Sequence, residues 1–130
     1  MGNIAEMNFR VWDIINKRMM KWEKVMDLPA WEIFPGTPEQ RAYTVLRSTG
    51  KPDSNGQEVF EGDIIENFNG LRMKIRFGTY QAWCPVDKCY MDSVGFYAEA
   101  PGLPPMPIGN IESYGKVTGN IFETPELMGD

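Results

Sequence analysis

The sequence predicts a mainly β fold, a small barrel-like or strongly bent antiparallel sheet with short helical turns, and three features predict it. Two Asn-Gly pairs, Asn55-Gly56 and Asn69-Gly70, lie between strand-like runs, and this pair tolerates the positive φ that tight hairpin turns require. Leu71, Met73, Ile75 and Phe77 alternate with Arg72, Lys74 and Arg76, the period-two pattern of a strand with one buried face. Further short runs rich in β-branched and aromatic residues recur towards the C-terminus with turn residues between them. Aromatics continue from Phe9 to Phe122 without a long gap, and 130 residues is close to the commonest domain size, so 1–130 reads as a single domain.

Taken in order, the first element is ambiguous. Trp12, Ile15, Met19, Trp22 and Met26 recur at spacings of three and four, a helical stripe, whereas Phe9-Arg-Val-Trp and Met20 to Val25 begin like strands around an Asn16-Lys17 turn. From Leu28 to Pro38 three prolines and Gly36 break regular structure, giving a connector, and Thr37-Pro-Glu-Gln reads as a short capped helical turn. Tyr43 to Ser48 is a strand. Thr49 to Gly56 is a loop, and Gln57 to Phe60 leads to Glu61-Gly62-Asp63 and the apolar pair Ile64-Ile65. Ile64 to Phe68 and Leu71 to Phe77 form the clearest hairpin. Tyr80 to Asp92 is expected to be irregular at its centre, with Cys84 and Cys89 as two reduced thiols in a loop. Val94 to Glu99 is a strand, and Pro101 to Gly109 is a proline-stiffened excursion from the core. Lys116 to Phe122 is the last strand, before a helical turn capped by Thr124.

Composition narrows the function classes. With 42% hydrophobic and 24% charged residues the chain lies outside the range of disorder. A net charge of −5 gives a negative mean field that opposes adhesion to nucleic acid or anionic lipid. No apolar run approaches the ~18 residues of a membrane-spanning helix, and no secretory start is visible, so a cytoplasmic location without membrane contact is expected. The chain has no histidine, which removes histidine bases, the usual serine and cysteine hydrolases and the commonest metal ligand. No phosphate-binding glycine loop occurs. Cys84 and Cys89 are not spaced as a dithiol redox motif, and no metal or cofactor is expected.

Asp53, Glu58, Glu61, Asp63 and Glu66 are the carboxylates that could hold a cation or transfer protons. A mechanical reading accounts for more of the stretch. Asp53 and Asn55 can bond their own loop, Gly56 supplies a left-handed residue, and Gly62 lets the chain bend before Ile64 and Ile65 enter the core. Gly62→Val should then damage folding and Asp63→Asn should not. A Glu-Gly-Asp-Ile entry into a strand also recurs in SH3-like barrels, an analogy of fold alone.

Three blocks carry a resemblance: Phe9-Arg-Val-Trp-Asp, then Ser48-Thr-Gly-Lys-Pro-Asp-Ser-Asn-Gly-Gln-Glu-Val-Phe-Glu-Gly-Asp-Ile-Ile, then Val117-Thr-Gly-Asn-Ile-Phe-Glu-Thr-Pro-Glu-Leu. In that order they resemble the YopX family of phage and prophage proteins. The family pattern usually has Gln-Tyr before the first Thr-Gly and Ile-Gly-Asn-Ile in the last block, where this chain has Arg47-Ser48 and Val117-Thr118-Gly119. The resemblance favours the N-terminal hairpin over the helix, and it implies a phage or prophage origin, a barrel-like β architecture and self-association. It transfers no catalytic residue. Its motif residues here are Thr49, Gly50, Asp53, Asn55, Gly56, Glu61, Gly62, Asp63, Gly119 and Asn120, and the last block is expected to pair with Asp63 to Ile65.

The functional expectation is a phage-derived accessory protein of the host bacterial cytoplasm, non-enzymatic, binding another copy or a phage or host protein. Nine methionines and four tryptophans motivate it. One alternative is a nucleic-acid accessory using Arg72, Lys74 and Arg76 on phosphates with Tyr80 and Trp83 stacking on bases. The other is an enzyme working through carboxylates and a metal.

Overall fold

In a computed structural model the described residues are 9–25, 27 and 43–128. The proline-broken connector and the helical turn expected at 37–40 lie outside them. Two curled antiparallel sheets, each a half-barrel, make a small β-barrel-like fold, with almost no helix among the described residues.

The N-terminal segment is a hairpin, β1 (Phe9–Asp13) and β2 (Arg18–Lys21), followed by one helical turn, α1 (Trp22–Val25). Sequence periodicity alone leans helical here. Asp13 decides otherwise: its Oδ1 accepts the N–H groups of Ile15 and Asn16 at 3.1 Å, and its Oδ2 accepts from the Asn16 amide at 2.8 Å. That wraps the turn, and Lys17 closes it at φ 55°. Ile15, a member of the helical stripe, is left 73% exposed. β1 then pairs with β3 (Tyr43–Pro52), which pairs with β4 (Glu58–Phe60) across a register shift between Ser48 and Pro52. The expected loop from Thr49 is thus still strand as far as Pro52, because Thr49 Oγ1 donates to the Val59 carbonyl at 2.8 Å and holds the bulged segment to its partner.

The second sheet runs β8-β7-β6-β5-β9. β5 (Asp63–Asn67) and β6 (Arg72–Cys84) form the hairpin expected at Asn69-Gly70, with Gly70 at φ 87°. β7 (Cys89–Glu99) pairs with β6 over eleven rungs, from Lys74↔Glu99 to Cys84↔Cys89. The irregular centre expected within 80–92 is the four-residue turn Pro85–Lys88, but Cys84 and Cys89 end the two paired strands and do not lie in a loop, because the ladder continues to the last rung before the turn. The proline segment is also corrected. β8 (Met106–Pro107) pairs with β7, and Ile108 and Ile111 are buried in the main core with Ile65, Met73, Ile75 and Val59. Prolines limit a strand to an edge and a few rungs, but they do not stop Ile108 from reaching inwards. β9 (Gly115–Asn120) pairs with β5, placing Asn120 opposite Asp63 and Gly119 opposite Ile64, as the last block was expected to do. A bulge at Thr118 follows, and a 3-10 turn, Pro125–Met128, ends the described chain.

Candidate functional site

The motif residues converge on the seam between the two sheets. Asp53 is fully buried, and its two carboxylate oxygens are both occupied: Oδ1 accepts the N–H groups of Asn55 and Gln57, and Oδ2 accepts that of Val117, each at 2.8 Å. The middle block is thereby tied to the last block, and Ser54 N–H adds a bond to the Gly115 carbonyl at 2.9 Å. A carboxylate that holds three backbone donors is an anchor for the chain. Thr49 and Gly50 shape the bulge, where Gly50 N–H donates to Ser48 Oγ at 3.0 Å and its φ is 76°. Asn55 and Gly56 make the turn.

Glu61 accepts the Arg47 N–H and guanidinium, each at 3.2 Å, while its own N–H donates to the Arg47 carbonyl. Gly62, at φ 90°, donates its N–H to the Ile75 carbonyl at 2.7 Å and accepts from Ile121 N–H at 2.9 Å. Asn120 Oδ1 accepts the N–H groups of Phe122 and Glu123, and its Nδ2 donates to Glu123. Gly119 gives room to Thr124 and Leu127, which a Cβ would strike at 2.1 and 2.8 Å.

Asp63 is a buried carboxylate with a charged partner. It accepts from the Arg10 guanidinium of β1 and from the Phe60 N–H at 2.8 Å, joining the first sheet to the second. Arg10 also lies over the Phe60 ring at 4.7 Å, and its Nε is buried without a partner. Burial raises the Asp63 carboxyl above its ordinary 3.8, and the nearby Arg10 charge and the Phe60 and Arg10 hydrogen bonds only partly offset that. Asp13 goes the other way. Burial raises it, but the Asn16 side chain, the Asn16 and Ile15 N–H groups and Arg18 together bring it below the usual carboxylate value. Among the described residues no three Cys, Asp or Glu side chains come together as a metal would require.

The proposed basic face divides. Arg72 pairs with Glu66 at 3.0 Å, and Lys74 and Arg76 share Glu99 at 3.6 and 3.8 Å, so three cations face two carboxylates. Tyr80 stacks on Tyr97 at 4.7 Å on this face. Alternation along the unbroken register puts Trp83 on the opposite face, edge-on to Tyr90 at 5.1 Å. The structure therefore does not bring Trp83 to the cations. A shallow depression of about 460 Å³ lies nearby, but its charged lining, Lys74 and Glu99, is already paired within the fold.

The YopX protein family model matches residues 8–129. The chain belongs to the YopX family. Among solved structures, the crystal structure of protein EF1440 from Enterococcus faecalis is similar, with a TM-score of 0.57, 23% identity, and coverage of 95% of this chain and 99% of that one. At that identity the likeness concerns the fold. No curated protein matches the chain. The seam's motif carboxylates are engaged within the fold, and large apolar groups facing solvent lie elsewhere.

Several of those groups are on the outer part of the β6–β7 ribbon. β5 accompanies β6 only along Arg72–Lys74, and β8 accompanies β7 only at Tyr97 and Ala98. Beyond them the ribbon stands as an arm, starting at a rung where Gly78 faces Gly95, with φ of 153° and 150°. The arm exposes Trp83 (52%), Tyr90 (55%) and Val94 (76%). Sequence reading missed it because Tyr80 to Asp92 lacks clean alternation, although the matched aromatic and glycine positions on either side of Pro85–Lys88 are a signal of cross-strand pairing.

Proposed function

We propose that the protein is a non-enzymatic docking module that self-associates through the β6–β7 arm, as a phage- or prophage-derived accessory protein of the host bacterial cytoplasm. The observation that carries the reading is the outer edge of β6. Among the described residues no strand pairs with that edge beyond Lys74 and its last backbone partner is the Gly62 N–H on the Ile75 carbonyl, and Phe77-Gly-Thr-Tyr-Gln-Ala-Trp-Cys84 contains no charge and no proline. Edge strands that stay single are normally guarded by charge, proline or short length, and an isolated two-stranded ribbon is marginal in water. The geometry suits a second copy laid antiparallel across a two-fold axis, because identical uncharged edges meet without like-charge contact. The β7 edge, with Asp92 at its middle, suits self-pairing less well. Trp83, Tyr90 and Val94 add apolar area of the kind that interfaces bury.

The non-enzymatic part is supported by the seam chemistry, where Asp53, Glu61 and Asp63 are engaged with backbone donors or arginines. The pairing of Arg72, Lys74 and Arg76 with Glu66 and Glu99, which leaves one net positive charge, weighs against a phosphate-tracking face. Light scattering at roughly 0.1 mM, a concentration that populates a complex of micromolar Kd, tests the assembly. The wild type should be at least dimeric, and a Thr79→Lys, Gln81→Lys variant should be monomeric with an unchanged far-UV spectrum. A monomeric wild type, or a variant that assembles equally well, would overturn the proposal.

A further inference from the structure

We infer that Cys84 and Cys89 are a reversible thiol–disulfide site that staples the tip of the arm when a low-molecular-weight disulfide such as oxidised glutathione is present. The two residues are directly opposed on the last rung of the β6–β7 ladder, and both are free thiols. Directly opposed antiparallel residues have Cα atoms about 4.5–5.5 Å apart with side chains on one face. That separation lies inside the span of about 4.4–6.8 Å that a disulfide accepts. Their spacing in sequence is unlike that of dithiol oxidoreductases, and only the pairing of the strands brings the thiols face to face. Pro85 and the positive φ of Lys88, 53°, hold the turn between them.

The two thiols have different surroundings, which assigns their order of reaction. Cys89 is exposed, whereas Cys84 is partly covered and its Sγ donates to Asp87 Oδ2 at 3.8 Å. Cys89, after losing its proton to water, attacks one sulfur of the glutathione disulfide. The S–S bond breaks, one glutathione thiolate leaves, and a mixed disulfide remains on Cys89. Cys84 then passes its proton to Asp87 and attacks the Cys89 sulfur, expelling the second glutathione. Two protein thiols are oxidised, one disulfide is reduced to two thiols, and thiol reductants reverse the exchange.

The chemistry stands on the strand pairing alone, while its effect on assembly rests on the self-association reading. Closing the tip holds the outer ribbon together beyond the Gly78–Gly95 rung and so presents its edge in one conformation.

The test is incubation of the folded protein with oxidised glutathione, read by intact mass and by peptide mapping under non-reducing conditions. Closure is intramolecular, with an effective thiol concentration on the order of millimolar. Wild type should therefore lose two hydrogens and retain on the order of a hundredfold less glutathione than Cys84→Ser, in which the adduct on Cys89 cannot be resolved. Hydrogen exchange at residues 79–94 should slow on oxidation of the wild type and recover with reductant. Accumulation of the mixed disulfide on wild type, or cross-linked chains in place of the internal bond, would overturn the inference. Light scattering on the same samples reads assembly separately, so a monomer that still closes the bond refutes the self-association reading without touching the thiol site.

Discussion

Replacing Asp53 with alanine removes the acceptor for three backbone donors at once. The side chain is fully buried and bonds Asn55, Gln57 and Val117 N–H, each at 2.8 Å. Asn55 and Gln57 are exposed and can turn to water, so each loses about 0.5–1 kcal/mol. The Val117 N–H sits at the bulge of the β5–β9 pairing and loses a charge-assisted bond of about 1.5–3 kcal/mol. Together, Asp53→Ala should cost about 3–5 kcal/mol, a large share of the stability of a domain this size. Asp53→Asn can keep Oδ1 for the two loop donors but turns an N–H group towards Val117 N–H, so its cost should be about 2 kcal/mol. Urea unfolding followed by tryptophan fluorescence reads both, and melting should fall by roughly 3–5 °C per kcal/mol. If both variants stay within about 1 kcal/mol of wild type, or if asparagine costs as much as alanine, the account of Asp53 as a three-donor anchor is wrong.

Further outcomes follow from the same seam. Gly62→Val should cost roughly 3 kcal/mol or more and lower the unfolding midpoint, because the residue needs φ 90° and its Cβ would lie 2.8 Å from the Phe122 ring. Gly62→Ala should be intermediate in the same assay. Asp63→Asn should fold, within about 2 kcal/mol of wild type, and should change the pH profile of stability. Because the native Asp63 carboxyl is raised above 3.8, its contribution is fully present below that pH and is lost as pH rises through the folded value, so the variant should lack that falling segment in urea titrations from about pH 3 to 7. Asp13 is depressed, and its contribution is present above 3.8 and lost as pH falls through the folded value. Asp13→Asn should therefore flatten the acid limb, and an unchanged slope in either variant would contradict the assignment.

The pairing of the last block with Asp63–Ile65 was expected from the family resemblance, whereas the sequence by itself determined the β class, the hairpin at Asn69-Gly70 and the turn at Asn55-Gly56. These are written in local chemistry: glycines at positive φ, alternation over one strand, and short polar side chains beside the backbone they bond. It also named the motif residues of the seam, but not which partners they hold. That Asp53 reaches Val117 and that Arg10 reaches Asp63 depends on how two sheets fold onto one another, and separations of 64 and 53 residues leave no periodic trace. The N-terminal turn shows the same division in miniature, since the spacing of apolar residues leaned helical until Asp13 was buried and bound its own turn. Only the tertiary structure separated Trp83 from the cations, turned Ile108 into the core and set Cys84 opposite Cys89. For Trp83 and the cysteines the physical reason is the same: a side chain's direction depends on the rung it occupies, and rungs belong to pairs of strands.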